Sequence, residues 1–192
     1  MPQRIGLFFG SFNPVHTGHM ILANFMATRT ELDEVWLVVS PQNPFKKQAT
    51  LARDQDRAHL VELAIGDTPG LRLSRVEFAL PRPSYTIDTL AVLRDKHPGT
   101  EFALIMGSDN LAGLAKWKNY ELILRDFRIH VYRRPGHPAG EWADHPAVTV
   151  HEAPLMQLSA TYVRNCIREG RSVRYLVPDA VAAEIGRSGL YR

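Results

Sequence analysis

The sequence predicts an α/β fold on a mostly parallel sheet. Three observations carry this expectation. Apolar runs at residues 5–9, 34–39 and 101–106 are hydrophobic at nearly every position rather than at alternate ones, as in strands covered on both faces. Helical patterns separate them, and alternation of strand and helix is the mark of parallel crossovers. The runs stop at Gly10, Ser40-Pro41 and Gly107, residues that punctuate strand ends. With 192 residues, 45% hydrophobic, no repeat and no dividing linker, the chain is expected to form a single domain, 1–192.

Taken in order, residues 5–9 form the first strand and 10–18 a polar loop containing Pro14. From His19, the positions Met20, Ile21, Ala23, Asn24 and Ala27 give a helix with a small, apolar face. Residues 34–39 are a second strand and 42–47 a loop. Residues 53–65 are an amphipathic helix with Leu60, Leu63 and Ala64 inward. Residues 71–78 alternate like a third strand, and Pro81 and Pro83 then break the chain. A helix follows at 86–96 with Thr86 as its cap. Residues 101–106 are a fourth strand, and short helices are expected at 110–114 and 120–124. Residues 128–132 form a fifth strand, 135–146 a surface loop and 148–151 a last short strand. Helices at about 160–169 and 178–188 close the chain.

Composition removes several classes of function. Thirteen Gly and thirteen Pro are ordinary usage. No apolar run approaches the roughly 20 residues of a membrane span, and the opening residues lack the pattern of a secretory leader. One cysteine, Cys166, excludes an internal disulfide framework and a multi-cysteine zinc site. A cytoplasmic protein is the expectation. The net charge of +3 fits a small polyanion such as a nucleoside triphosphate, or nucleic acid, equally well. No basic stripe interleaved with aromatics supports the latter.

In open parallel sheets, ligands bind beyond the carboxyl ends of the strands. The loop after the first strand reads Gly10-Ser11-Phe12-Asn13-Pro14-Val15-His16-Thr17-Gly18-His19. Gly10 and Gly18 permit close backbone approach. A helix start offers free amides and positive potential to phosphate, and two imidazoles can donate to phosphate oxygens. The pair lacks a nearby third ligand for a metal. The loop after the fourth strand holds Gly107 and Asp109. The Asp109 carboxylate can accept from ribose hydroxyls or cap the next helix. Near residue 160, Ser159 can cap a helix, Thr161 can offer its hydroxyl and amide, and Arg164 adds a fixed cation. An ordinary capped helix with a surface arginine is the plainer alternative. Tyr85-Thr86 at a helix start offers backbone donors to an anion. Lys46 is either a cation for substrate phosphate or a solvated lysine.

These residues also carry a resemblance. GSFNPVHTGH resembles the (T/H)xGH signature of the nucleotidylyltransferase superfamily. More closely, the chain is similar to the bacterial nicotinate-nucleotide adenylyltransferases. The likeness runs through Pro44-Phe45-Lys46, the PSYTIDT segment at 83–89 and the IMGSD segment at 105–109. It continues through Lys116-Trp117, Arg134-Pro135-Gly136, the LSATYVR segment at 158–164 and the final Gly189-Leu190-Tyr191.

The resemblance implies a Rossmann-like, doubly wound sheet of the HxGH type, with C-terminal helices at about 159–192 completing the ATP site. It implies transfer of AMP from ATP to nicotinate mononucleotide, with Mg2+ accompanying ATP and with deamido-NAD and pyrophosphate as products. His16, His19 and Arg164 then serve catalysis. Gly10, Ser11, Phe12, Gly18, Gly107, Asp109, Arg134, Ser159 and Thr161 join them around ATP. Asn13, Lys46, Ser84, Tyr85, Thr86 and Trp117 face the acceptor, with the Trp117 ring against the pyridine; core packing is the commoner fate of a tryptophan. The partners expected are these two small molecules, without nucleic acid or membrane; a homo-oligomer is compatible with the sequence. Nicotinamide mononucleotide or phosphopantetheine as acceptor, and a silent nucleotide-binding regulator, are the rival readings. The PSYTIDT and Lys116-Trp117 segments argue against phosphopantetheine, and both HxGH histidines argue against the regulator. The sequence departs from the family pattern at Phe9, Asn13, Val15, Ala160 and Lys118.

Overall fold

Hydrophobic residues alternate between two faces along every central strand, and this builds the fold from the sheet outward. Ile5 and Leu7 face one way and Phe8 the other; Phe102, Leu104 and Met106 oppose Ala103 and Ile105. Both faces are apolar, so both must be covered. The computed structural model describes residues 2–41 and 51–192. Its strands are β1 (Gln3–Gly10), β2 (Glu34–Val39), β3 (Leu71–Ser74), β4 (Thr100–Gly107), β5 (Arg128–Tyr132) and β6 (Val148–His151). All neighbours pair in parallel, in the order β3-β2-β1-β4-β5-β6. This is the doubly wound arrangement, and strand order reverses between β1 and β4.

One face is covered by α1 (Thr17–Arg29), α2 (Asp54–Ile65), α6 (Ala160–Arg168) and α7 (Asp179–Ser188). Leu22, Ala23, Met26, Leu60, Val61, Val163, Val181 and Ile185 fill that layer. The other face is covered by α3 (Thr86–Lys96), α4 (Ser108–Leu111) and α5 (Tyr120–Asp126), through Leu90, Leu93, Leu111, Ile123 and Leu124. Cys166 is a buried free thiol of the first layer.

Five local expectations are corrected, the first being the short helix expected at 110–114, which runs Ser108–Leu111 and is followed by a separate 3-10 turn at Leu114–Lys116. The third strand stops at Ser74 instead of 78, and Val76–Ala79 forms a 3-10 turn. Glu77 there is turned inward to accept a hydrogen bond from Thr89 Oγ1 at 2.8 Å, which straight strand geometry would not allow. The cap of α3 is Tyr85, whose carbonyl accepts from Asp88 and Thr89, and Thr86 is the first helical residue. The first helix begins at Thr17, not His19, because distant backbone holds its start: Thr17 donates its amide to Leu176 O at 2.9 Å and its hydroxyl to Tyr175 O at 3.0 Å. The segment 135–146 contains a 3-10 turn, Gly140–Asp144. Among the described residues, no helix is long and apolar enough to cross a membrane.

Candidate active site

The reversal of strand order leaves a crevice at the carboxyl ends of β1 and β4. A cleft of about 490 Å³ opens there, lined by the β1–α1 loop, the end of β5 and the start of α6. Two glycines make room for it. A Cβ on Gly10 would lie 2.8 Å from the Phe12 ring, and one on Gly107 would lie 2.8 Å from Arg134 Cδ and 3.1 Å from Tyr132. Phe12 itself holds a left-handed backbone conformation (φ 43°) with its side chain buried.

The two histidines stack, with ring centroids 3.6 Å apart. The Phe12 ring meets His19 edge-on at 5.0 Å. His19 Nδ1 accepts a hydrogen bond from the His16 amide at 3.2 Å. An accepting Nδ1 carries no proton, so the neutral ring is protonated at Nε2 and is a donor there. His16 is 6% exposed. Burial, with the Arg134 charge second, pulls its pKa down to about 4, so its ring is neutral near pH 7.

Arg164 faces this pair from α6. Its Nη1 donates to Asn13 O at 2.7 Å and its Nη2 to Thr161 Oγ1 at 3.2 Å. Its Nε is buried and has no hydrogen-bond partner among the described residues. Burial, with Arg168 adding, shifts its pKa below the usual arginine value. Ser159 caps α6 as expected, accepting from the Tyr162 amide at 3.2 Å. On the other wall, Arg134 Nη1 donates to Asp109 Oδ2 at 2.8 Å, leaving Asp109 Oδ1 buried with no hydrogen bond among the described residues. Ser108 Oγ anchors that wall by accepting from the Arg134 amide and donating to His137 O.

The predicted residues fall into groups. Gly10, Ser11, Phe12, Asn13, His16, Gly18, His19, Asp109, Arg134, Ser159, Thr161 and Arg164 all line the cleft, and Gly107 crowds the Asp109–Arg134 pair. Asn13, expected on the acceptor side, is already tied down: Oδ1 accepts from the Ala52 amide and its carbonyl from Arg164. Ser84, Tyr85, Thr86 and Trp117 do not line this cleft. They belong to a neighbouring group in which Lys118 bridges to Asp88 at 2.8 Å and lies 5.0 Å over the Tyr85 ring. Lys118 therefore joins the Trp117 segment to the start of α3. Trp117 is half-buried against the second core layer, and Ser84 Oγ is buried with no hydrogen bond among the described residues. Lys46 lies outside the described residues.

Sequence reasoning did not single out Tyr132, Ser40, Leu155 or Met156, which also line the cleft. Tyr132 had a usable signal, since it ends a strand at the same sheet edge. Burial pushes its hydroxyl up to about 12. Leu155 and Met156 are exposed apolar residues in an irregular segment, and nothing in their spacing marks them.

A doubly wound parallel sheet with an HxGH loop and opposed arginines at its switch point defines a nucleotidyltransferase-type site. Comparison with known proteins agrees: residues 7–166 match the cytidylyltransferase-like family. A relative from Cytophaga hutchinsonii, described as a probable nicotinate-nucleotide adenylyltransferase, is 51% identical over 93% of each chain. One from Flavobacterium psychrophilum with the same description is 47% identical over 99% of this chain and 100% of its own. The fold is also that of Plasmodium falciparum nicotinic acid mononucleotide adenylyltransferase complexed with NaAD: TM-score 0.81, 18% identity, covering 98% of this chain and 97% of that one. The chain belongs to the cytidylyltransferase-like family and, within it, to the nicotinate-nucleotide adenylyltransferases.

Proposed function

We propose that the protein transfers AMP from ATP to nicotinate mononucleotide, giving deamido-NAD and pyrophosphate. The observation that carries this reading is the meeting of the HxGH loop with Arg164 across one cleft at the sheet's switch point. An acceptor phosphate oxygen attacks the ATP α-phosphorus, and the bond from that phosphorus to the β-phosphate oxygen breaks. The nucleophile is already anionic near pH 7, so no general base is needed. The task is to hold two polyanions in line and stabilise the charge that develops.

His19 supplies an Nε2 donor whose orientation the His16 amide fixes. His16 is neutral, so it binds phosphate by hydrogen bonding and not by charge. The unpartnered Arg164 Nε supplies a fixed, charge-assisted donor. Asp109 Oδ1 is the acceptor for a ribose hydroxyl, and Arg134 closes the adenosine side. Mg2+ enters as the counter-ion of ATP. Asp109 is the one carboxylate among the described residues lining the cleft, and it is paired to Arg134. That donor set would suit an ion held chiefly by the phosphates of ATP itself, and the chemistry it would supply is neutralisation of the pyrophosphate charge.

For the acceptor, Thr86 and Ile87 precede the first intrahelical bond of α3, which Asp88 makes to Tyr85. Amides at such a start favour a carboxylate over a carboxamide, whose NH2 would face donors. The test is pyrophosphate release with ATP and Mg2+ and either nicotinate or nicotinamide mononucleotide. We expect kcat/KM to favour the acid by about 10⁴. A ratio near one would show dual specificity, and a preference for the amide would overturn the assignment of this helix start.

A further inference from the structure

The chemistry above leaves one fully buried charge without a role. Arg57, in α2, has no exposed surface. Its Nε donates to Ala52 O at 3.1 Å, its Nη1 to Ser11 O and to Ser40 O at 3.0 Å, and its Nη2 to Asp54 Oδ1 at 2.7 Å. Nη2 also donates to Pro41 O at 3.5 Å, so four backbone carbonyls from three separate stretches converge on one guanidinium. Ser11 belongs to the HxGH loop, Ser40 follows β2, and Ala52 leads into α2. Asp54 extends the contact, because its Oδ2 accepts from Arg82 Nη2 at 2.6 Å. Arg82 stands two residues before Ser84, in the segment that enters α3. A continuous polar chain therefore runs from Ser11 through Arg57 and Asp54 to Arg82, from the ATP loop to the acceptor segment.

Burying a guanidinium is costly, and apolar residues of similar volume often fill such space at no loss of stability. What they cannot do is hold four carbonyls at fixed directions, which a planar fork of donors can. We infer that Arg57, with Asp54 and Arg82, positions the two substrate loops relative to each other, so that the acceptor phosphate meets the α-phosphate in line. These are positioning residues, since they act through Ser11 and the 82–86 segment. The inference rests on the adenylyl-transfer reading above. Misplacement of reacting groups by about 1 Å costs about 10²-fold in rate, so the link should appear in kcat more than in ATP affinity.

The experiment uses the full chain and steady-state kinetics, varying ATP and nicotinate mononucleotide separately. Arg82→Gln cuts the chain at its outer end, where Arg82 is 47% exposed, and Asp54→Asn weakens the links of Asp54 to both Arg82 and Arg57. Each is expected to lower kcat about tenfold while KM for ATP stays within about twofold. The double variant should be no worse than Asp54→Asn alone, because that substitution already weakens the one link that Arg82→Gln removes. Arg57→Lys keeps the charge but loses the fork, and should cost about 10²-fold in kcat. If Arg57→Lys does not fold, the outer pair still decides the matter. Folded Arg82→Gln and Asp54→Asn variants with wild-type kcat, or effects that multiply in the double variant, overturn the positioning role. The wild-type arm separates the two readings: no pyrophosphate from ATP and nicotinate mononucleotide would defeat the reaction itself, whereas normal wild-type turnover with unaffected variants defeats only the link.

Discussion

His19 both donates into the cleft and accepts from the His16 amide, so its removal should be felt twice but unequally. Loss of a preorganised donor to developing charge costs about 10²- to 10³-fold in rate, while loss of the cap-like bond at the start of α1 costs about 1 kcal/mol. His19→Ala is therefore expected to remain folded with crippled kcat; a folded variant turning over near normally would remove His19 from the chemistry. His16 makes a separate prediction through its burial. Its pKa falls from 6.5 unfolded to about 4 folded, so the unfolded chain binds the proton first as pH drops. This contribution to stability is complete above pH 6.5 and is lost as pH falls towards 4, by on the order of 3 kcal/mol. Urea unfolding of the ligand-free protein at steps between pH 7 and 4.5 should show His16→Gln declining less steeply than wild type; equal slopes would contradict it. At this scale, legibility depended on where a side chain acts. The places of His16, His19 and Arg164 along one cleft were readable because the histidines flank a helix start and Arg164 stands one turn into a capped helix. Arg57 was not, because a charged residue in an amphipathic helix normally faces water, and only packing of Ser11, Ser40 and Ala52 around it makes it buried.

At the scale of elements, the β4–α4 junction is the tightest test of how strand ends shape the site. Gly107 has an ordinary negative φ of −77°, so alanine is conformationally acceptable there. The objection is steric alone: the new methyl would run into Asp109 and crowd Arg134 and Tyr132. Gly107→Ala should cost about 1–3 kcal/mol of stability. Displacing the Asp109–Arg134 pair should also raise KM for ATP about tenfold with little change for the acceptor. Isothermal titration with a non-hydrolysable ATP analogue would check it, and unchanged affinity would mean the pair does not face the nucleotide. Elements themselves were read well where local pattern decided them. The central strands carry apolar residues on both faces, and Ser159 announces its cap. They were misread where a distant partner decided them. Residues 75–78 continue an alternating pattern, but the Glu77–Thr89 bond curls them into a turn. The start of α1 moves to Thr17 because residues 175 and 176, far along the chain, hold it.

For the whole molecule, the sequence foretold a parallel α/β sheet but not the order of its strands, which is set by pairings between segments up to a hundred residues apart, such as β1 with β4. That order brings the last third of the chain back over the first loop. Val163, Val181 and Ile185 bury α6 and α7 against the layer that holds α1 and α2, and Arg164 reaches from α6 to the Asn13 carbonyl. The cleft is thus closed by two ends of the sequence. Arg164→Ala removes a cleft donor and one cross-tie together, yet leaves the apolar anchors in place, so the fold should survive. ATP bound only to the native state raises stability by about 2.7 kcal/mol at a concentration a hundred times its dissociation constant. At that concentration of ATP, fixed from the wild-type constant, wild type should show a clear rise in melting temperature. Arg164→Ala should show much less, because losing a charge-assisted donor to phosphate weakens binding by about 2–3 kcal/mol. Nicotinate mononucleotide should shift both proteins alike, since its expected contacts lie around the start of α3. An equal ATP shift in the two proteins would place Arg164 outside the triphosphate site, and a loss confined to the acceptor would move it to the other substrate.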